Sequence, residues 1–249
     1  MKCRALVAGV SAVIAVLAMA PAAAASGTAP FAPASAAATK QVWTGYVDVA
    51  HANVKLRYVA ADFTVPRVTC TSQISKASFW VGLDGFGTKT VEQAGLSTNC
   101  FSGQPVYLAF WEMLPLKPVY EFYVSVGDSL SVNVYYDASV NAYRLSLTDH
   151  TNGLSFNHPA YCPSGSTCLN TTAEAILEAD GGSDLSRFPA VTFSNAQVTS
   201  RNGTHGAFQA MNLWDLSKPL MSGSNGPLAN VSTPTNNGST FTFTYVRSF

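Results

Sequence analysis

Charge is what this chain has least of: Asp, Glu, Lys and Arg together make up 11% of its 249 residues. No basic run or Lys/Arg-rich face is present, so the electrostatic footprint of a nucleic-acid binder is missing. Setting Lys2 and Arg4 aside from the 14 basic residues leaves 12 against 14 acidic ones, a formal net charge of −2. Such low charge density suits an acidic milieu, because protonating few carboxylates leaves little positive charge to repel itself. Histidine is also scarce. His51, His150, His158 and His205 are scattered, with no pair at a ligand spacing and no Cys-x-x-Cys, so a zinc site fits poorly. There is no His-Glu-x-x-His, no Asp-Thr-Gly or Asp-Ser-Gly, and no Gly-x-Ser-x-Gly in the mature region. The sequence signatures of zinc peptidases, aspartic peptidases and serine hydrolases are therefore absent. No long helical period appears, and no long apolar run appears beyond the N-terminus.

That N-terminus is distinctive. Lys2 and Arg4 precede an apolar run from Ala5 to Ala18, and small residues end at Ala23-Ala24-Ala25. A charged start, a short apolar stretch and an Ala-x-Ala site make residues 1–25 a secretory signal peptide. A membrane anchor is the alternative, and Pro21 and the shortness of the apolar part argue against it. Residues 26–40, rich in Ala, Pro, Ser and Thr, read as a disordered leader or short propeptide. The expectation is a secreted, extracellular protein, free of the membrane once the signal is removed. Cysteine usage agrees. Cys3 leaves with the signal, and Cys70, Cys100, Cys162 and Cys168 form an even set in an exported chain. Of the three pairings open to them, the expected one joins sequence neighbours, Cys70–Cys100 and Cys162–Cys168. Asn-x-Ser/Thr sequons at Asn170, Asn202, Asn230 and Asn237 matter only in a host that glycosylates.

The remainder, 41–249, suits one domain, and with 47% hydrophobic residues in the sequence it can bury a sizeable core. Apolar residues alternate with polar ones in short runs: Leu130, Val132 and Val134; Tyr143, Leu145 and Leu147; Phe241, Phe243 and Tyr245. Gly, Asn and Asp clusters separate the runs, as at Asp149 to Gly153 and Gly181 to Asp184. This is the pattern of half-buried antiparallel strands in a sandwich or barrel. The fold class expected is all-β.

Four strand-like runs carry chemistry. They are Trp43-Thr44-Gly45-Tyr46, Phe79 to Gly85 followed by Val91 to Gly95, Phe110 to Pro115, and Ala173 to Asp180. Strand alternation puts Glu174, Ile176 and Glu178 on one face, with Ala175, Leu177 and Ala179 on the other, which should pack the core. Glu174 is therefore expected at the outer or concave surface. Trp80 and Asp84 share a face, as do Phe110, Glu112 and Leu114, whereas Glu92 and Gln93 must point opposite ways. For any one of these carboxylates an ordinary solvated strand face is the simpler account. Asp84-Gly85 reads equally well as a turn, and Trp43, Trp80 and Trp111 as core filling. Their occurrence together, in this order, outweighs that account.

Taken together, the set resembles the glutamic peptidases, or eqolisins, over Trp43 to Phe249. The family's Trp-x-Gly matches Trp43 and Gly45, and its Trp-Val-Gly-(Ile/Leu)-Asp-Gly matches Trp80 to Gly85. Its catalytic Gln, before a small residue and Gly, matches Gln93. Its Tyr-Glu-(Trp/Met)-Tyr-Pro segment matches Trp111 to Pro115, keeping Glu112 and Pro115. Trp111 and Leu114 stand where tyrosines are usual, and Leu114 lacks a phenolic hydroxyl that could bond substrate. The family's catalytic Glu, in an Ala-Glu-x-Ile-x-Glu strand, is matched to Glu174.

The resemblance implies a concanavalin-like sandwich of two bent antiparallel sheets and a monomeric, cofactor-free acid endopeptidase acting on proteins or peptides. Glu174 would activate water and return the proton, and Gln93 would donate to the oxyanion. A carboxylate base of near-normal pKa stays ionised at low pH, where a His base would be lost. Trp43, Trp80, Asp84 and Glu112 would line and orient the site as substrate-binding residues. Glu178, about 13 Å along the strand from Glu174 at ~3.3 Å per residue, is expected to matter far less. The rivals are a glycoside hydrolase using Glu112 and Glu174, which leaves Gln93 without a role, and a carbohydrate-binding module, which predicts no turnover.

Overall fold

A computed structural model describes residues 42–210 and 214–249. The expected signal peptide and the leader lie outside the described residues. The strands are β1 (Trp43–Ala50), β2 (Leu56–Thr64), β3 (Lys76–Leu83), β4 (Glu92–Phe101), β5 (Gln104–Met113), β6 (Val119–Tyr123), β7 (Ser129–Asp137), β8 (Ala142–Asp149) and β9 (Ser155–Ala160). They continue with β10 (Thr172–Glu178), β11 (Val191–Ser200), β12 (His205–Gly206), β13 (Trp214–Ser217), β14 (Ser222–Gly223), β15 (Gly226–Pro227), β16 (Ala229–Val231) and β17 (Phe241–Tyr245). The first sheet runs β13-β1-β10-β3-β4-β5-β6. The second runs β16-β17-β11-β2-β7-β8-β9, with β12 paired to β11, and β14 and β15 form a separate hairpin. Every paired strand in the sheets is antiparallel. The protein is the all-β concanavalin-like sandwich expected from its strand pattern and resemblance.

Alternation builds the core between the sheets. Phe79, Leu83 and Leu96 of the first sheet belong to one buried cluster with Phe63, Val132, Leu145 and Phe193 of the second. Phe63 stacks on Phe193 with ring centroids 4.8 Å apart and reaches Phe79 across the sandwich at 6.3 Å. Each such side chain contributes roughly 1.5–3 kcal/mol by leaving water. The other face of the first sheet is not simply solvated. There Val47, Trp80, Val91, Phe110 and Ile176 form a second, smaller apolar cluster.

Both expected disulfides are present, Cys70–Cys100 and Cys162–Cys168. The first ties the segment after β2 to the end of β4. The second closes a short loop just ahead of β10.

Trp80 dictates the glycines around it. It lies opposite Gly95 on β4, and a Cβ on Gly95 would sit 2.3 Å from the Phe79 carbonyl oxygen and 2.6 Å from the Trp80 Cβ. Those contacts are with backbone and a fully buried side chain, so neither can retreat cheaply. Gly95→Ala should therefore lower stability by about 1–3 kcal/mol, the usual cost of overpacking. A chemical-denaturation midpoint unchanged from wild type would contradict this packing.

Candidate active site

The second apolar cluster floors a cleft of about 340 Å³ on the outer face of the first sheet. Gln93 from β4, Glu112 from β5 and Glu178 from β10 open into it, and Asp180, just past β10, completes a group of three carboxyls. Trp43, Leu114, Tyr120 and Lys76 form its walls. Gln93 and Glu112 face each other across the β4–β5 pair, and Gln93 Nε2 donates to Glu112 Oε2 at 2.7 Å. Gln93 Oε1 is buried and has no partner. The Trp80 indole N–H donates to Glu178 Oε2 at 3.0 Å, and the Trp43 indole also favours the Glu178 anion. The two indoles meet edge to face, with centroids 5.0 Å apart. Gly82 lies between the far edge of the Trp80 ring and Gln93 Cβ; a Cβ placed on it would come within 3.0 and 3.3 Å of them. Trp80 thus spans the floor from Gln93 to Glu178. It is wholly buried, so it supports the site from beneath and offers no surface to substrate.

Glu174 does not stand where the sequence expectation put it. It shares the face of Glu178, but it is completely buried and is absent from the cleft wall. The backbone N–H of Phe86, in the loop between β3 and β4, donates to Glu174 Oε1 at 3.3 Å. In the sheet register Glu174 is opposite Gly82, which is opposite Gln93, so β3 lies between the two, as it also does between Gln93 and Glu178. Burial, reinforced by Asp84, pushes the Glu174 carboxyl well above the ordinary range. The carboxylate pair Glu112 and Glu174 needed by a glycoside hydrolase is likewise not assembled in one cleft.

Asp84 also departs from the expectation. It is fully buried and accepts the backbone N–H groups of Leu169, Asn170 and Thr171 at 2.6, 2.7 and 2.9 Å. Its backbone is left-handed, with φ +60°. Asp84 is a turn residue that staples the Cys162–Cys168 loop to the end of β3, and it does not line the cleft.

Sequence reasoning did not single out Asp180, Lys76 or Glu178 as cleft residues, and all three line it. Alternation alone treats Glu174 and Glu178 alike. What separates them is the loop over one and the indoles around the other, both set by contacts about a hundred residues distant in sequence.

Burial governs the charges here. Glu112 is pushed up to about 7 by burial and by the Asp180 carboxylate, against the opposing Gln93 bond. Glu178 is pushed up to about 8 by burial and by Asp180, against the two indoles. Asp180 is raised by burial, while the Ser78 hydroxyl, which donates at 2.8 Å, and the Lys76 charge pull it back. A wider groove on the outer face of the second sheet, about 580 Å³, holds Asp62 and His205. Its Asp62 carboxylate is already engaged by Ser131 and Asn195. Among the described residues no group of acidic, His or Cys side chains could hold a metal ion.

A carboxamide and carboxyls share one cleft of this all-β sandwich, and the family it matches makes the protein a glutamic-type endopeptidase, a hydrolase. The chain belongs to the peptidase A4 family, whose model matches residues 41–245. It is 30% identical over 195 residues to Aspergillopepsin-2 of Aspergillus niger, covering 68% of this chain and 67% of that protein. Its fold is similar to Scytalido-glutamic peptidase solved with a peptide-based transition-state analogue: TM-score 0.67, 25% identity, 82% of this chain and 98% of that one. It is also similar to aspergilloglutamic peptidase from Aspergillus niger: TM-score 0.58, 27% identity, 69% of this chain and 99% of that one.

Further carboxyls are buried within electrostatic reach of Glu174. Asp48 and Glu92 have both oxygens unpaired, and burial raises both, Glu92 to about 9. Asp48 is raised further by Glu174, and Glu92 by Asp84. A carboxyl whose folded pKa exceeds its unfolded value of roughly 4 holds its proton more tightly in the folded state. Its stabilising contribution is complete below the unfolded pKa and is lost as pH rises towards the folded one. Thermal stability should therefore be greatest in acid and fall between about pH 4 and pH 9. Glu92→Gln, which keeps the shape without the titration, should flatten that fall. A melting temperature that rose with pH over this range would refute the argument.

Proposed function

We propose that this protein is a secreted acid endopeptidase whose catalytic pair is Gln93 and Glu178, acting on peptide bonds as a monomer without a cofactor. The observation that carries the reading is the Glu178 carboxyl, held by indole N–H donors in the same cleft as Gln93, while Glu174 is sealed off. A peptide lies in the cleft with its scissile carbonyl beside the Gln93 amide. Glu178 takes a proton from water as the oxygen attacks the carbonyl carbon, and a Gln93 N–H stabilises the oxyanion. Glu178 then passes that proton to the departing nitrogen as the C–N bond breaks, which restores the carboxylate.

The base must be ionised in acid despite its burial. Asp180 and Glu112 raise it only when they carry charge, so that repulsion weakens as acid neutralises them. The three carboxyls then titrate as a group, and the donors around each help to set which of them holds the charge. Two indoles favour the Glu178 anion, the Ser78 hydroxyl and the Lys76 charge favour that of Asp180, and the Gln93 amide favours that of Glu112. The reading requires that Glu178 hold a charge in the working state. Further acidification quenches it, and rising pH adds like charge beside it, so activity should follow a bell centred in acid. Secretion is supported by the two disulfides and by the N-terminal sequence. No helix among the described residues is long and apolar enough to cross a membrane.

Casein digestion at acidic pH by three variants tests the pair. Glu178→Gln and Gln93→Ala should each lose at least ~10²-fold in kcat, the typical cost of removing a base or an oxyanion donor, and remain folded by circular dichroism. Glu174→Gln should stay within a few-fold of wild type. A folded Glu174→Gln that is inactive, beside an active Glu178→Gln, would return the role to Glu174.

A further inference from the structure

We propose that Glu112 is a positioning residue, which fixes the Gln93 carboxamide with Nε2 turned towards β5 and one N–H left for the substrate. The inference rests on the reading of Gln93 as oxyanion donor and extends it from a residue to the group that aims it.

A carboxamide is nearly symmetric in shape, so half a turn about its last bond exchanges donor and acceptor with little steric consequence. Something must distinguish the two ends if an N–H is to meet the oxyanion. The neighbours Val91 and Phe110 are apolar and cannot. Among the described residues the Gln93 side chain has one protein partner, Glu112, at 2.7 Å, and its Oε1 is buried without any. The antiparallel register makes that contact close by construction, since Gln93 and Glu112 are directly opposed on one face of the β4–β5 pair.

Glu112 can serve in either protonation state. As a carboxylate it only accepts, so Nε2 must face it. Burial and Asp180 push Glu112 up to about 7, and in acid it is a neutral acid. Its carbonyl oxygen still accepts from Nε2, and its O–H then supplies a donor for the otherwise unpaired Gln93 Oε1. Acid and amide can thus join at two points. Nε2 has two hydrogens, and one remains free in both states. Lys76, Glu178 and Asp180 line the same cleft, and Gln93 is the cleft residue that bonds Glu112.

This arrangement makes an unusual prediction for substitutions. Glutamine at position 112 presents one acceptor and one donor, as the neutral acid does, so Glu112→Gln should keep kcat at acidic pH within about threefold. Glu112→Leu removes both and lets the amide wander. A misplacement near 1 Å costs up to ~10²-fold, so its kcat should fall roughly tenfold to a hundredfold, with KM within about threefold. If Glu112 acts through Gln93, adding Glu112→Leu to Gln93→Ala should cost nothing more. Melting curves accompany each variant, and Glu112→Ala replaces the leucine variant should that one fail to accumulate.

Full kcat in the apolar variant would overturn the proposal. So would equal losses in the glutamine and apolar variants, which would mean that Glu112 acts through its charge or acidity, and so would additive losses in the double variant. A fully active Gln93→Ala would instead overturn the underlying reading of Gln93, whatever the Glu112 variants do.

Discussion

Carboxyls buried without a positive partner are the constraint on which the rest of this structure depends. Asp48, Asp84, Glu92 and Glu174 are all essentially inaccessible to solvent. Among the described residues no Lys or Arg lies within 4.0 Å of an Asp or Glu carboxylate, and two close ion pairs join His51 to Asp215 and His158 to Glu121 near the surface. An ionised carboxylate in such surroundings is far too costly, so it must either be wrapped in donors or keep its proton. Asp84 takes the first course, with three backbone N–H groups. Asp48 and Glu92 take the second. The shortage of charge in the sequence and the stability expected in acid are then two consequences of one choice. A protein that keeps its interior acids neutral needs few cations, and it holds those protons most cheaply where protons are abundant.

Trp80 links this interior to the cleft. Gly95 gives its backbone and Cβ room on β4, and Gly82 gives its ring edge room beside Gln93. Its N–H is thereby delivered to Glu178. Packing and electrostatics are thus set by one side chain. Any change that tilts the indole moves a hydrogen bond that favours the Glu178 anion, even when the change is a methyl group on the neighbouring strand. The Trp-Val-Gly segment of β3 and the Gln-Ala-Gly segment of β4 are complementary halves of that arrangement, a bulky ring opposite the absence of a side chain.

The strands were legible because their signal is local. The alternation of Phe241, Phe243 and Tyr245 with threonines, and of Ala175 and Leu177 with Glu174, Ile176 and Glu178, follows from a period of two. The disulfide pairing was legible because its partners are sequence neighbours. The choice between Glu174 and Glu178 was not. Both satisfy the alternation, and both belong to the same motif. They differ because Phe86 closes over one while Trp43, across the β1–β10 pair, stands beside the other. Strand register and loop course are long-range facts that no window around residue 174 contains. Asp84 was misread for a similar reason: an Asp-Gly pair signals a turn, but nothing nearby announces that the amides of Leu169 to Thr171 will arrive to fill its carboxylate.

The same constraint explains why a carboxamide suits position 93. The cleft already holds three carboxyls, each raised by burial. A fourth acid there would add to their mutual repulsion, and a histidine or lysine would bring a cation that stabilises further ionisation of Glu112 and Asp180. Either would change how many protons the group holds at a given pH. A glutamine donates a hydrogen bond without titrating, so a donor at this position is the same group in strong acid as at neutrality. Its weakness is that its two ends are nearly interchangeable, and a neighbour that can accept from Nε2 in both of its own protonation states removes that ambiguity. In this cleft the group opposite Gln93 is Glu112, which has this property because a carboxyl keeps an acceptor oxygen whether or not it holds its proton.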